Sequence, residues 1–308
     1  MTWNGRQLLL IDGVTGGVYK STPELVQALD AFSEAAEGDD STRSLADAGL
    51  LVPASTPRHE SWSTFELVVQ RMSGGGGRRA RLPFDQMPPP GKPADSLPPV
   101  RLPRRRRMNQ ARLGSLLRHR RSHREFASGD IPLAVLGDLL QTAAGVQRSV
   151  PMAGVSYRPH PSAGGRHPLE IYVAPLHVAD LDRQVHRYDP FERCLYRTQA
   201  DPRRLDRLPG ELGQALDSEL PVEAAAVLLI TAVFARTMWK YEQIGLGLIY
   251  KDAGALLQTL YLVAQALGLA GCAIHLRGEA QIATWLGLDP MEEALVACFA
   301  VGLPASRA

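Results

Sequence analysis

The segment Ala224–Phe234, AAAVLLITAVF, constrains the fold more than any other stretch of this chain. It carries no charge, and Thr231 is its only polar side chain. A strand with one wet face alternates apolar and polar residues; a strand apolar on both sides must be covered on both. This run is therefore expected to be a central strand between two layers. The residues after Arg101 supply material for them. ARLGSLLRHR, PLAVLGDLLQTAAGV, KDAGALLQTLYLVAQALGL and EAQIATWLG read as helices. LEIYVAPL, AGCAIHL and LVACFAVGLP read as strands, and VHRYDPFERCLYRT as a hairpin turning at Asp189 and Pro190. The mixture predicts an α+β or three-layer domain.

The residues before Arg101 are of another kind. RQLLLID and GGVYKS suggest a short hairpin. STPELVQALDAF has the capping-box spacing Ser21–Glu24, with Leu25, Val26, Leu29 and Phe32 as an apolar stripe. With STRSLADAGLLVP this predicts a small winged-helix-like unit over 1–60. Gly74–Gly77 and eight prolines between Pro83 and Pro103 then make 61–104 a linker or extended strap. The main domain is expected over 105–308.

Charge is unevenly placed. Ten arginines and no acidic residue lie between Arg101 and Arg124, and the remaining chain is net negative, although the whole carries only +2. Nucleic-acid binding draws on many phosphate contacts spread over a face, whereas one basic segment in an acidic chain suits a local anion site at least as well. Cys194, Cys272 and Cys298 are far apart and odd in number, which argues against a disulfide framework or a zinc site and for a reducing, cytoplasmic setting. No apolar run is long enough to span a bilayer.

Three stretches could carry chemistry. In HRRSHREF, Arg120, Arg121, Ser122 and Arg124 follow a Leu-rich helix. Guanidinium forks and a hydroxyl there could hold a phosphate, or the run could be a solvated basic face. In PSAGGRHPLEIYV, Ser162, Ala163, Gly164 and Gly165 would let a flat ring approach the backbone before a buried strand, although a lone glycine loop is a weak signal. FARTMWKYEQIG follows the central strand and brings Trp239, Lys240 and Tyr241 to its end. Lysine and tyrosine can both move protons; the plainer reading is an amphipathic loop with Trp239 in the core. Trp285 also reads as core, and His123, His160 and His167 as surface or hydrogen-bonded histidines.

Taken in order, RRSHREF, IPLAVLGDLLQTAAGV, PSAGGRHPLEIYV, HRYDP, WKYEQIG, DAGALLQTLYLVAQALGLAGCAI and AVGLP resemble the nitroreductase-like flavoproteins across about 101–304, and within them the SagB-type azoline dehydrogenases. The N-terminal piece is similar to peptide-recognition modules attached to some of those enzymes. The resemblance implies a mainly antiparallel sheet flanked by helices, and a homodimer with FMN at the subunit interface. It implies FMN contacts from Arg120, Arg121, Ser122 and Arg124, from Ser162–Gly165, and from Ile274 and His275. Lys240 would be base or proton relay and Tyr241 its partner. The implied reaction oxidises a thiazoline or oxazoline to the azole on a peptide or carrier-borne substrate, with oxygen reoxidising the flavin and a cyclase or synthetase as possible partner. Three positions depart from the pattern: Ala255 stands where a histidine is usual, Thr259 where an asparagine is, and Gly247 where an arginine or other polar residue is. An NAD(P)H-dependent reductase of quinones or nitro compounds is the alternative, and a nucleic-acid-binding protein a remote one.

Overall fold

The structure is a computed structural model, and it describes residues 2–3, 8–11, 18–21, 83–95, 97–103, 112–218, 222–241, 244–276 and 279–305. The chain divides into two compact units, 1–77 and 78–308. In the first, β1 (Thr2–Trp3), β2 (Leu8–Ile11) and β3 (Val18–Ser21) form an antiparallel sheet in that order, with Leu8 opposite Ser21. The helices expected at 21–32 and 41–53, on which the winged-helix reading rests, lie outside the described residues, as do Gly74–Gly77 and the arginines 104–107.

In the second unit β4 (Val100–Arg101) closes the proline-rich strap, and α1 (Leu113–His119) leads into the arginine motif. Next come β5 (Phe126–Ala127), β6 (Ile131–Pro132), α2 (Leu133–Ala144), β7 (Arg148–Val150), β8 (Val155–Tyr157), β9 (Leu169–Pro175) and β10 (Val178–Ala179). They are followed by β11 (His186–Asp189), β12 (Cys194–Arg197), α3 (Leu208–Ala215), β13 (Ala226–Val233) and α4 (Phe234–Met238). The chain continues through α5 (Gly245–Ala266), β14 (Ala270–Ile274), α6 (Glu279–Trp285) and β15 (Glu293–Pro304). The main sheet runs β14-β15-β13-β9-β11-β12-β4, with β5 added along β15, and all its pairs are antiparallel. This is the expected α+β architecture. Because β4 pairs with β12, the strap belongs to the larger unit, and residues 83–103 do not act as a free linker between units.

The apolar run is β13, hydrogen-bonded to β15 on one side and β9 on the other. Its side chains alternate between two cores. Leu228 and Ile230 join Leu136, Leu140, Leu256 and Leu260 of α2 and α5. Val227 and Leu229 face Leu205, Leu208, Leu212 and Ile282 on the opposite side. At roughly 1.5–3 kcal/mol for each large aliphatic side chain buried, both layers contribute strongly, and a polar substitution on either face of β13 would be buried.

Local differences from the sequence reading have simple causes. Pro132 is the N-cap of α2 and not a residue within it, since a proline at the boundary needs no N–H partner. The 234–245 stretch begins with one helical turn. α5 starts at Gly245, ahead of the expected Lys251. Trp239 is buried as expected. Trp285 sits instead at the rim of its core, half-buried, with Arg204 over its ring and its indole N–H donated to the Asp201 carbonyl at 2.8 Å.

Candidate active site

β8 and β9 are joined by the turn containing Ser162–Gly165. Gly164 and Gly165 adopt φ of 63° and 65°, and His167 follows at 44°. The left-handed region costs a non-glycine residue on the order of 1–2 kcal/mol, so His167 must be held there. It is: its N–H donates to Ser162 Oγ at 2.9 Å, and its carbonyl accepts from Arg236. Asp252 of α5, 6% exposed, secures the front of the turn. It accepts from Ser162 Oγ at 2.5 Å and from the Ala163 N–H at 3.2 and 3.3 Å. Burial pushes the Asp252 carboxyl up from its usual range, and these hydrogen bonds oppose that shift.

Lys240 and Tyr241 come to this turn from the end of β13. Each donates its N–H to the Thr237 carbonyl as α4 ends, and both side chains are half-buried. A Cβ added to Gly164 would lie 2.9 Å from the Tyr241 hydroxyl and 3.0 Å from Lys240 Nζ. The absent side chain is what lets the amine and the phenol reach the loop backbone together. Lys240 Nζ is also 5.7 Å from the Tyr241 ring centroid.

The arginine motif forms a second cluster. Arg120 ends α1 and lies over the Tyr261 ring at 5.1 Å. Ser122 Oγ is 3.0 Å from the Tyr261 hydroxyl, which accepts the Ala273 N–H of β14 at 2.7 Å. The His123 N–H donates to the Gly271 carbonyl. Arg121 closes the end of α1 by donating to the carbonyls of Arg118 and Arg120, and Arg124 is exposed. Ile274 ends β14, half-buried, and His275 follows it on the surface.

Thus the loop meets the Lys–Tyr pair, and the arginine motif meets β14. The two clusters attach to α5 through Asp252 and Tyr261, about 13 Å apart along the axis and on opposite flanks of its buried face. Among the described residues no hydrogen bond, ion pair or ring contact joins Arg120–Arg124 to the Ser162–Gly165 turn. Asp252 and Tyr261 were not singled out by the sequence reading. The signal for Asp252 was a carboxylate on the apolar stripe Ile249, Ala253, Leu256 and Leu260; Tyr261 gave none. His160 and His167 are both buried, with ring centroids 5.0 Å apart. Burial depresses their pKa values to about 4 and about 2.

The α+β domain thus carries a glycine turn at one end of its central antiparallel sheet and clustered arginines at the other. Residues 117–303 match the model of the nitroreductase family, and the chain belongs to that family. It is 30% identical over 169 residues to a Methanocaldococcus jannaschii protein named as a nitroreductase, covering 54% of this chain and 80% of that one. A solved nitroreductase-type structure from Ralstonia eutropha matches with a TM-score of 0.55 at 26% identity, over 72% of this chain and 96% of that one. A chain of the E. coli microcin synthetase McbBCD complex, solved with truncated pro-MccB17, has the same fold: TM-score 0.53 at 17% identity, over 93% of this chain and 95% of that one.

The family is one of FMN-dependent oxidoreductases, and FMN is the cofactor here. The residues present suit it. Among the described residues Arg120, Arg121 and Arg124 have no carboxylate partner, which leaves cationic groups for a dianionic phosphate. At the other end, the missing side chain of Gly164 leaves room for the Lys240 amine and the Tyr241 phenol against the loop backbone. No described helix is long and apolar enough to cross a membrane.

Proposed function

We propose that this protein is an azoline dehydrogenase, oxidising a thiazoline or oxazoline of a peptide-derived substrate to the aromatic azole. The observation that carries the reading is the convergence of Lys240 Nζ and Tyr241 OH on the Gly164 backbone. FMN, when bound, would supply the hydride acceptor for this two-electron oxidation, with oxygen as the terminal oxidant. Arg120, Arg121, Ser122 and Arg124 would hold its phosphate and polar chain, and Ser162–Gly165, Ile274 and His275 would border its ring. Lys240 takes the proton from the ring carbon as the azole forms, and Tyr241 orients the amine. Gly164 leaves both groups free to reach the reacting atoms, and close positioning of this kind is a large part of what such a site contributes. Because the two clusters lie on opposite flanks of α5, a homodimer in which each chain gives its arginine end to one site and its glycine loop to the other fits this arrangement. The likeness to a chain of a synthetase complex with a bound precursor supports a peptide-borne or carrier-borne substrate and a cyclase or synthetase partner.

Replacing Lys240 by Ala is expected to leave FMN bound and lower azole formation at least about 100-fold, the usual range for a lost general base. A fully active variant would remove Lys240 from the mechanism. The second reading is an NAD(P)H-dependent reductase of quinones or nitro compounds, favoured by the name of the M. jannaschii relative. Rapid bleaching of the flavin by NAD(P)H without oxygen, together with no turnover of a thiazoline peptide, would select it.

A further inference from the structure

Two buried arginines lie behind the Lys–Tyr pair. Arg166 immediately follows the glycine turn and is 1% exposed. Its Nε donates to the Arg236 carbonyl at 2.9 Å, one Nη to the Gly154 carbonyl, and the other to the Pro88 carbonyl at 2.8 Å. Arg236 of α4, 2% exposed, pairs with Glu170 at 2.6 Å and donates Nε to the Pro89 carbonyl at 3.0 Å. Trp239, next to Lys240, lies 5.2 Å from the Arg166 guanidinium, and its indole N–H donates to the Pro83 carbonyl at 2.9 Å. Gly154, at φ 57°, leaves the space that Arg166 and Met87 of the strap fill.

The chemistry of this arrangement is complementary. Arginine and the indole ring are donors without an acceptor, and proline has a carbonyl without an N–H. A proline-rich strap therefore offers buried guanidiniums acceptors and brings few donors that need partners of their own. α4 is five residues long, too short to hold its own direction, so the placement of Lys240 and Tyr241 depends on what Arg236 and Trp239 touch.

We infer that the strap residues 83–89 are a working part of the active site, and that Arg166 and Trp239 are positioning residues that set the Lys240–Tyr241 pair against Gly164 through the strap carbonyls. The inference rests on the reading of that pair as the proton-handling groups.

The test is hydrogen exchange of the full-length FMN-loaded protein, followed by mass spectrometry, for wild type, Arg166→Lys and Trp239→Phe. Lysine keeps the charge but not the three-way fork; phenylalanine keeps an aromatic ring but loses the five-membered ring of the indole and its N–H. The expected result is exchange faster by about tenfold in 84–87, in 162–167 and in 239–241, with β13 unchanged. On a thiazoline-bearing model peptide, Trp239→Phe should lower kcat about tenfold with KM held within about twofold. Unchanged exchange in 162–167 and 239–241 would overturn the inference, as would loosening that extends to β13, or a rise in KM at constant kcat. Exchange needs no turnover, so it decides the positioning role even if Lys240→Ala proves fully active and the azoline reading fails.

Discussion

Two groups of arginines in this chain have the same chemistry and opposite surroundings. Arg166 and Arg236 are almost wholly buried and donate to Glu170 and to carbonyls of the strap and neighbouring loops. Arg121 and Arg124 are exposed, Arg120 is half-exposed, and none of the three has a carboxylate partner among the described residues. The buried group orders backbone and fixes geometry; the exposed group leaves charge for an anion to use. Positive charge in a sequence thus marks two different jobs, and only its surroundings separate them.

The sharpest way to break this contrast is to remove one member of the buried group. Arg236→Ala removes the cation directly paired with Glu170, 4% exposed, and among the described residues leaves it only the unpaired charge of Arg158 nearby. It should cost about 3–5 kcal/mol of stability, the usual penalty for an orphaned buried charge, read from the urea midpoint. A loss under about 1 kcal/mol would mean that water reaches the pair.

Acid should reach the same buried region next. His160, 1% exposed, has its pKa lowered from 6.5 to about 4, chiefly by burial, with the Arg158 charge reinforcing the shift and the Ala143 carbonyl opposing it. The unfolded chain therefore binds a proton between pH 6.5 and 4 that the folded chain does not, and folding stability falls as pH drops through that window. The shift corresponds to about 3 kcal/mol for His160, and His167, depressed further still, adds to it. Thermal unfolding at pH 7, 5.5 and 4 measures this. A melting temperature constant to pH 4 would mean that these imidazoles are open to solvent.

The smallest effect on stability is expected on the exposed side. Arg124→Ala should change folding free energy by no more than about 0.5 kcal/mol, yet weaken FMN binding about tenfold through one lost charge-assisted contact. FMN titration followed by fluorescence would show it, and wild-type binding should weaken with salt more than the variant's. If Arg124→Ala binds FMN as the wild type does, the exposed group is only a solvated face.

Much of this was legible in the residues. Because β13 has no polar face, its central place follows from AAAVLLITAVF alone. The Asp189–Pro190 turn, the helical period of 251–266 and the final buried strand were readable for the same reason: periodicity and turn chemistry are local. The motif stretches were visible as well, since Gly164–Gly165 and Lys240–Tyr241 are unusual neighbours within their own segments. Arg166, Arg236 and Tyr261 were not legible, because a single charged or aromatic residue in a loop or on a helix looks the same whether it faces water or a carbonyl.

By itself the sequence determined the layers, the central strand, the order of the motifs and the family they resemble, since these depend on hydrophobic patterning and short-range backbone chemistry. Tertiary structure alone decided that Gly164 meets Lys240 and Tyr241, that Asp252 and Tyr261 tie the two clusters to one helix, and that a strap of prolines supplies carbonyls to buried arginines. Those contacts join residues far apart in the chain, and a buried hydrogen bond exists only where the fold brings a donor to an acceptor and removes the water between them.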